Sequence, residues 1–324
     1  MTLNIYLDGG SAEPEGFITV LLDGAANIAD RFHALFTLRT IYSSNPENSN
    51  QFVDALFSAL STSTPLLQHE LCYILGQFKN EQTRPAQINH LNSVVFGEYS
   101  DIVRHEAAEA LGALGGDDAL DELLKFPILE NDPHGLVKDT IDLAIQKYKY
   151  EKKNGLISSY FDAIDPTPAL SGRALSELQK IVLNGADIVE KYSAMFALRN
   201  LIHEFQYGTD TQKSHILRCN EGITNIVETA ISFIALGFKD ESALLRHEVA
   251  YIFGQLAHSS ATSSLEQKLA DVNEHPIVRH ECAEALGSIG NFDSLYLFVN
   301  DKEQIVRESC LVGLKMGEYA QVEC

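Results

Sequence analysis

Histidine followed directly by glutamate occurs five times in this chain of 324 residues. Because the chain has 11 histidines, a random order would give roughly one such pair. Two histidines with one carboxylate form the ligand set of oxygen-activating non-haem iron, which leaves coordination positions open for dioxygen and substrate. The repeated pairs therefore predict a metal site.

Four of the pairs occupy the same place, near the start of the second helix of a predicted repeat: His69-Glu70, His105-Glu106, His247-Glu248 and His280-Glu281. Their histidines are 36 residues apart in the first half of the chain and 33 apart in the second, about one helical repeat each. Neighbouring side chains on a helix diverge by about 100°, so both members of a pair can reach a shared cleft. The fifth pair, His203-Glu204, has no counterpart in the first half, and we treat it as incidental.

A single His-Glu pair on a repeat helix is usually a solvated or interface feature. Four pairs at equivalent positions are harder to explain by packing, because burying imidazoles and carboxylates on inner helices carries a desolvation cost. We therefore predict that these eight residues converge on a dinuclear metal centre. Nitrogen and oxygen ligands leave iron, manganese and zinc open as the metal.

The elements that carry these pairs are predicted to be helices, because apolar residues recur at spacings of three and four in segment after segment. Glycine, proline, asparagine and aspartate clusters divide the chain into pieces of helical length. Candidate second helices begin near Ile28, Pro65, Asp101, His134, Asp187, Glu241, Pro276 and Lys302. The predicted fold class is all-α, an α-solenoid of eight HEAT-like helical hairpins.

The array is itself doubled. The ten residues from Val103 to Gly112 align with those from Val278 to Gly287 and differ at one position. We therefore predict two pseudo-symmetric halves of four repeats, 1–148 and 173–324, which can face each other across a cleft. The prolines and glycine of 149–172 oppose a continuous helix and predict a linker.

The second half is longer than the first around Glu204 to Asn220. This stretch is polar and has no counterpart in the first half, so we predict an irregular loop there.

The overall composition narrows the possible partners and compartments. A formal charge of -21 would repel a phosphate backbone, so nucleic acid is a poor partner. No apolar run approaches the roughly 18 to 20 residues that span a bilayer, and the first 15 residues lack a signal-peptide pattern. The five scattered cysteines include no CxxC pair. We expect a cytoplasmic protein with reduced thiols and no membrane partner.

With these motifs the sequence resembles the deoxyhypusine hydroxylase family, whose hallmark is two sets of HEAT-like repeats that carry paired His-Glu motifs. The resemblance covers nearly the whole chain and includes the flanking Val-Arg, Ala-Leu-Gly and Tyr-Ile-x-Gly-Gln residues. It implies an oxygen-dependent monooxygenase of hypusine biosynthesis. The implied cofactors are two Fe²⁺ ions, with O₂ as co-substrate. The implied partner is the deoxyhypusine form of translation initiation factor five-A, a target of post-translational modification.

The resemblance also implies roles for the individual residues. His69, His105 and Glu106 would hold one iron, and His247, His280 and Glu281 would hold the other. Glu70 and Glu248 would be the catalytic and substrate-binding residues, since carboxylates can bind the two amines of deoxyhypusine by charge-assisted hydrogen bonds. Both remain candidate metal ligands as well.

Several weaker features stand beside this assignment. Glu109 and Glu284 follow two of the histidines by four residues, so each could orient an imidazole or pair on the helix surface. Tyr73 and Tyr251 follow the other two histidines by four residues, and we favour core packing over a place in the cleft.

Three other functions are compatible with parts of the pattern. A non-catalytic HEAT-repeat scaffold would bind a protein along its curved surface and hold no metal. A related repeat-type lyase would share the Val-Arg and Ala-Leu-Gly residues without four placed His-Glu pairs. A dinuclear hydrolase would use metal-bound hydroxide and no oxygen.

Overall fold

The computed structural model of the chain describes residues 14–44, 49–125, 132–161 and 163–322, with side chains through residue 317. Most of the amino-terminal stretch that lacks a signal-peptide pattern therefore lies outside the described residues, as does Cys324. Within these ranges the regular structure is helical and contains no strand. The first half holds α1 (Pro14–Leu22), α2 (Ile28–Ser44), α3 (Ser49–Leu60), α4 (Pro65–Gln77), α5 (Arg84–Val95), α6 (Asp101–Leu114), α7 (Gly116–Leu124) and α8 (Leu136–Asn154).

The second half holds α9 (Leu175–Asn184), α10 (Ile188–Tyr207), α11 (Asp210–Cys219), α12 (Ile226–Ala235), α13 (Ala243–Leu256), α14 (Thr262–Ala270), α15 (Pro276–Ile289), α16 (Phe292–Tyr296) and α17 (Gln304–Val322). Two short 3-10 helices, Leu236–Lys239 and Ser259–Ala261, lie between them. The all-α solenoid predicted from the sequence is confirmed.

The eight predicted second helices correspond to α2, α4, α6, α8, α10, α13, α15 and α17, each beginning within two residues of its expected start. Local chemistry explains these starts. Proline at the first position of α4 and α15 has no N–H to leave unpaired. The Ser100 hydroxyl accepts a hydrogen bond from the Val103 amide at the start of α6.

These second helices form the inner layer of the solenoid and pack on one another in sequence, as α4 does on α6 and α13 on α15. Small residues allow the close approach. A Cβ atom on Gly76 of α4 would lie 2.5 Å from the Cα atom of Ala110 on α6. Any larger residue at position 76 would push these two helices apart.

Each half closes onto the other through its last inner helix: α8 packs against α10 and α13, and α17 packs against α2 and α4. The two contacts use equivalent polar groups. The Thr64 hydroxyl before α4 donates to Glu308 Oε2 of α17 over 2.6 Å, and the Ser242 hydroxyl before α13 donates to Asp139 Oδ2 of α8 over 3.4 Å. The inner helices therefore surround a common centre.

The predicted irregular loop from Glu204 to Asn220 is wrong. Helix α10 continues to Tyr207, and α11 occupies Asp210–Cys219. A capping box starts α11, because the Thr209 hydroxyl accepts from the Gln212 amide while the Gln212 side chain accepts from the Thr209 amide. This Thr-x-x-Gln pattern is visible in the sequence. It favours a helix start here, although the polar composition of the segment suggested a loop.

The connection between the halves is ordered and irregular. Helix α8 runs through Asn154, inside the segment 149–172 that we assigned to the linker, and the division of the chain into two domains stays a prediction. The linker contacts both halves. The amide of Ile164 donates to Gln77 Oε1 in the first half, and the amide of Leu170 donates to the Ser193 carbonyl oxygen in the second.

Candidate metal centre

The four equivalent His-Glu pairs lie on α4, α6, α13 and α15, within the first two turns of each helix. All eight side chains belong to buried residues, none more than 7% exposed, and His105 and His280 are fully buried. Their helices bring them inward because the inner layer of each half faces the other half.

The four imidazoles converge on one volume. Ring centroids within a half are 5.4 Å apart for His69 and His105 and 5.7 Å apart for His247 and His280. The separations across the halves are just as short, 5.2 Å from His69 to His280 and 5.6 Å from His105 to His247. The pairs that the sequence spreads over more than 200 residues thus meet at the boundary between the halves.

Two groups of three side chains have ligand atoms within 4.8 Å of one another. The first is His69, His105 and Glu106, the set expected for one metal ion. The second joins His247 and His280 with His69 in place of the expected Glu281. Glu281 Oε2 is nevertheless only 3.4 Å from His247 Nε2.

Most of the buried side-chain nitrogen and oxygen atoms that lack a hydrogen-bond partner in the described chain lie in this cluster. They are Nε2 of His69 and His105, both ring nitrogens of His247 and His280, and Oε1 of Glu248. Nε2 of His69 approaches Glu106 Oε2 to 3.2 Å, but the angle does not suit a hydrogen bond. A buried polar atom without a hydrogen-bond partner lowers the stability of the fold, because it has lost its contacts with water. The concentration of such atoms here fits a site that binds a cation.

The neighbours of three histidines leave Nε2 available as a ligand atom. Nδ1 of His69 is 3.2 Å from Glu70 Oε1, and Nδ1 of His280 is 3.5 Å from Glu284 Oε1. The Thr140 hydroxyl donates to the Leu136 carbonyl oxygen, so it can only accept from Nδ1 of His105, 3.5 Å away. An acceptor beside Nδ1 favours the proton there and the lone pair on Nε2.

Burial and the surrounding histidines lower the pKa of His105 and of His280 well below its usual value. Both imidazoles are therefore neutral at pH 7, the form that binds metal. Burial acts in the same direction on His69, but the contacts with Glu106 and Glu70 outweigh it and raise the pKa of His69.

The carboxyl groups divide into two classes. Burial and the nearby Glu284 raise the pKa of Glu70 to about 7, and burial and Glu109 raise that of Glu248 well above its usual value. Burial also acts on Glu281, but the close contact with the His247 imidazole and the charges of the neighbouring histidines outweigh it and lower the pKa of Glu281 to about 2. Glu70 and Glu248 therefore gain more from a positive ligand than Glu281 does, because their own surroundings supply too little positive charge.

A cavity of about 640 Å³, counting the space at its mouth, opens onto the cluster. Six of the eight predicted residues line it, and the fully buried His105 and His280 lie behind them. Glu109 and Glu284 line it as well, where burial and a neighbouring carboxylate raise the pKa of Glu109 to about 8 and that of Glu284 to about 7. The cavity wall therefore carries six carboxyl groups from four helices.

Tyr73 and Tyr251 also line this cavity, and their phenol oxygens are 3.4 Å apart. The structure thus corrects our preference for core packing at these two positions. Their spacing from the histidines by four residues already placed them on the same helix faces. The fifth pair, His203-Glu204, lies outside the cavity, where the His203 ring stacks on Tyr160.

The sequence did not point to several cavity residues. Phe36 and Ser288 line the cavity, and Thr140 contacts His105 from α8. None of these belongs to a His-Glu motif, and their residue types are common. Only the packing of the inner helices reveals them.

Comparison with known proteins adds a direct indication of ancestry. A family described as HEAT repeats matches residues 53–146. The deoxyhypusine hydroxylase of Aspergillus clavatus is 38% identical over 96% of this chain and 92% of its own length. The chain belongs to the deoxyhypusine hydroxylase family.

Other members of the deoxyhypusine hydroxylase family support the same conclusion. Deoxyhypusine hydroxylase-B of Oryza sativa subsp. japonica is 38% identical over 94% of this chain and 93% of its own length. The structure of human deoxyhypusine hydroxylase in complex with glycerol superimposes with a TM-score of 0.78 at 33% identity, covering 94% of this chain and 96% of the human chain. The family resemblance inferred from the sequence is therefore confirmed.

Membership in the deoxyhypusine hydroxylase family makes this chain an enzyme of an oxygen-dependent class, as the sequence predicted. It also disfavours the scaffold, lyase and hydrolase alternatives. No helix in the described ranges has the length and apolar character needed to cross a membrane.

Proposed function

We propose that this enzyme hydroxylates the side chain of deoxyhypusine on translation initiation factor five-A, using two iron ions held by the His-Glu pairs. The observation that carries the proposal is the group of four buried imidazoles, with ring nitrogens that lack partners, beside a carboxylate-lined cavity. The donors are nitrogen and oxygen only, which suits Fe²⁺. Bound iron supplies the activation of O₂ that a C–H hydroxylation requires.

In this proposal His69, His105 and Glu106 hold one ion, and their ligand atoms already lie within 4.8 Å of one another. His247, His280 and Glu281 hold the other. The 3.4 Å contact between His247 and Glu281 supports this set. Thr140 and Glu284 lie 3.5 Å from Nδ1 of His105 and of His280, where an acceptor favours the tautomer with its lone pair on Nε2.

Glu70 and Glu248 bind the substrate. Deoxyhypusine carries a secondary amine and a terminal primary amine, both cationic at neutral pH. Each raised carboxyl pKa falls when an ammonium group arrives, because the charge of the ligand favours the carboxylate. Two carboxylates from opposite halves thereby fix the chain between the amines, and holding it in place is the main contribution of these residues to catalysis.

The test combines metal content with turnover. The purified chain is reconstituted with Fe²⁺, and iron is quantified before the deoxyhypusine-bearing factor and O₂ are added. Mass spectrometry then looks for the gain of one oxygen atom on the modified lysine. We expect about two iron ions per chain and oxygen-dependent hydroxylation.

The variants His105→Ala and His280→Ala should lose iron and activity. His203→Ala is the matched control, because it also alters a His-Glu pair but one outside the cavity. Full iron content in His105→Ala, or equal losses in His203→Ala, would contradict the ligand assignment.

A further inference from the structure

Four carboxyl groups line the cavity besides the two assigned to the metal ions, and they form two pairs across the halves. In the first pair, Glu109 follows His105 by one turn of α6, and Glu248 directly follows a histidine of α13, His247. These two imidazole rings are 5.6 Å apart, so Glu109 and Glu248 lie near each other at the boundary between the halves. Next to burial, the charge of Glu109 accordingly contributes most to the raised pKa of Glu248.

The second pair occupies the equivalent positions. Glu284 of α15 is the counterpart of Glu109, and Glu70 of α4 completes this pair. Next to burial, the charge of Glu284 contributes most to the raised pKa of Glu70. The repeat alone therefore predicts two pairs with the same role.

The pair of Glu70 and Glu284 has partners within the chain. Glu70 Oε1 lies 3.2 Å from Nδ1 of His69. Glu284 Oε1 accepts a hydrogen bond of 3.3 Å from the Ser309 hydroxyl and lies 3.5 Å from Nδ1 of His280. Each carboxyl group of this pair is thus placed beside a histidine of its own half.

The pair of Glu109 and Glu248 differs. Among the residues that the structure describes, neither carboxyl group forms a hydrogen bond or an ion pair. Glu248 is 3% exposed and lines the cavity, and its Oε1 is one of the buried atoms without a partner. A carboxylate in this position is stabilised by a cationic ligand that donates hydrogen bonds.

The last inner helices explain why Glu109 has no partner. Thr140 of α8 and Ser309 of α17 are counterparts, because each lies two residues after an aligned Leu-Val-Lys or Ile-Val-Arg sequence. The Thr140 hydroxyl lies 3.5 Å from Nδ1 of His105, so a hydroxyl takes the place that a carboxylate has in the second half. Because it donates to the Leu136 carbonyl oxygen, it does not donate to Glu109.

The nearest lysine does not neutralise Glu109 either. Lys147 and Glu109 both line a small second cavity beneath the linker. The Lys147 ammonium group is bound instead by Glu151 Oε2 at 2.9 Å and by the Gly112 carbonyl oxygen at 3.2 Å. Within the described part of the chain no lysine or arginine lines the main cavity. Glu109 therefore lacks a counter-ion of these two types.

We propose that Glu109 is a third substrate-binding residue, which holds one ammonium group of deoxyhypusine together with Glu248, whereas Glu284 serves as the acceptor beside His280. A protonated primary or secondary amine has at least two N–H donors, so it can bind both carboxylates at once. This inference rests on the proposed function and adds a residue to its substrate site. It also gives two equivalent glutamates of the repeat different roles.

Affinity for the deoxyhypusine-bearing factor tests the role of Glu109. It is measured on the Fe²⁺-loaded chain without O₂, so that no turnover occurs. Glu109→Gln keeps the size of the side chain and removes its charge. It should weaken binding about tenfold or more, the value of one hydrogen bond to a charged group, and leave the iron content unchanged. Glu109→Asp keeps the charge and should bind the factor more tightly than Glu109→Gln.

Glu284→Gln is the matched control, because it makes the same change at the equivalent position of the same cavity. It should weaken Fe²⁺ binding about tenfold, since a neutral amide is a poorer acceptor for Nδ1 of His280. At saturating Fe²⁺ it should change the affinity for the factor less than about twofold. Equal weakening of factor binding by Glu109→Gln and Glu284→Gln would refute the difference in role.

Urea unfolding supplies a second measurement. Glu109→Gln removes a charge from a group of like charges, so it should be at least as stable as the wild type. A large loss of stability would mean that the Glu109 carboxylate has a partner within the chain, which contradicts the inference.

The outcomes separate this inference from the proposed function. If the wild type neither binds the factor nor hydroxylates it, both fail. If the wild type does both, but Glu109→Gln binds the factor as tightly as the wild type or loses iron, Glu109 is not a substrate-binding residue and the proposed function stands.

Discussion

The phenol oxygens of Tyr73 and Tyr251 lie 3.4 Å apart and connect equivalent positions of the two halves. Burial raises the pKa of both phenols, so each keeps its proton and can donate. Tyr73→Phe or Tyr251→Phe removes one hydroxyl and leaves the other, which is buried, without this hydrogen-bond partner. We expect each to lower the free energy of unfolding by about 1 kcal/mol or less.

The double variant Tyr73→Phe/Tyr251→Phe removes both hydroxyls together. The double variant should lose less free energy of unfolding than the two single variants together, because neither phenol hydroxyl is left without its partner. Urea unfolding of the four proteins measures this coupling. Strict additivity would mean that the two hydroxyls do not interact.

The hydrogen bond from Thr64 to Glu308, 2.6 Å long, joins the last inner helix to the first half. Thr64 precedes α4, and its hydroxyl accepts no cap hydrogen bond there but donates to the carboxylate. Thr64→Val should cost about 1.5–3 kcal/mol of stability, the usual value for a hydrogen bond to a charged group.

Thr64→Ser keeps the hydroxyl and should stay close to the wild type. Thermal unfolding of both variants, alone and combined with Glu308→Gln, makes the comparison. If Thr64→Val costs the same in the Glu308→Gln background as in the wild type, the contact does not stabilise the junction.

The ion pair between Asp165 and Arg199 is fully buried, with side chains 2% and 0% exposed. Asp165→Asn removes the negative charge and leaves a buried guanidinium without its counter-ion, although Gln255 and Asn200 still accept from it. We expect a loss of about 3–5 kcal/mol in the free energy of unfolding.

Asp118→Asn is the control for this loss, because the pair of Arg84 and Asp118 has a carboxylate that is 53% exposed. An exposed pair contributes about 1 kcal/mol or less. Denaturant unfolding of both variants should therefore separate them clearly. Equal losses would show that burial does not decide the strength of the Asp165 pair.

Stability should depend on pH through Glu274. Burial would raise its pKa, but hydrogen bonds from Arg246 and Lys268 outweigh this and lower the pKa to about 2 from the ordinary value of 4.5. A depressed folded-state pKa gives stability that is complete above the ordinary pKa of the unfolded chain and is lost as pH falls toward the folded-state pKa. The wild type should therefore be more stable than Glu274→Gln above pH 4.5. This difference in the free energy of unfolding should shrink as the pH falls from 4.5 to about 2.

Urea unfolding of both proteins at several pH values gives the difference curve, which cancels the titration of all other groups. Glu221→Gln alters an exposed glutamate, so the difference in the free energy of unfolding between this variant and the wild type should not change with pH. A flat curve for Glu274→Gln as well would show that the ion pairs with Arg246 and Lys268 do not stabilise the fold.

Local sequence patterns predicted the helical fold and the candidate residues well, because both depend on short-range information. The spacing of apolar residues marked the inner helices, whose starts lie within two residues of expectation. The repeated His-Glu pairs singled out eight side chains, and their imidazoles meet in space. Even the one wrong element, the supposed loop at 204–220, carried a local capping signal at Thr209 and Gln212.

What the sequence by itself determined is therefore the repeat, its doubling and the type of ligand atoms at the centre. Only the tertiary structure decided how the two halves differ. The spacing of α13 and α15 near Gly254 and the position of the linker over Ala113 depend on packing between segments that are distant along the chain. A periodic pattern is the same in both halves, so it cannot reveal where the two halves differ in packing.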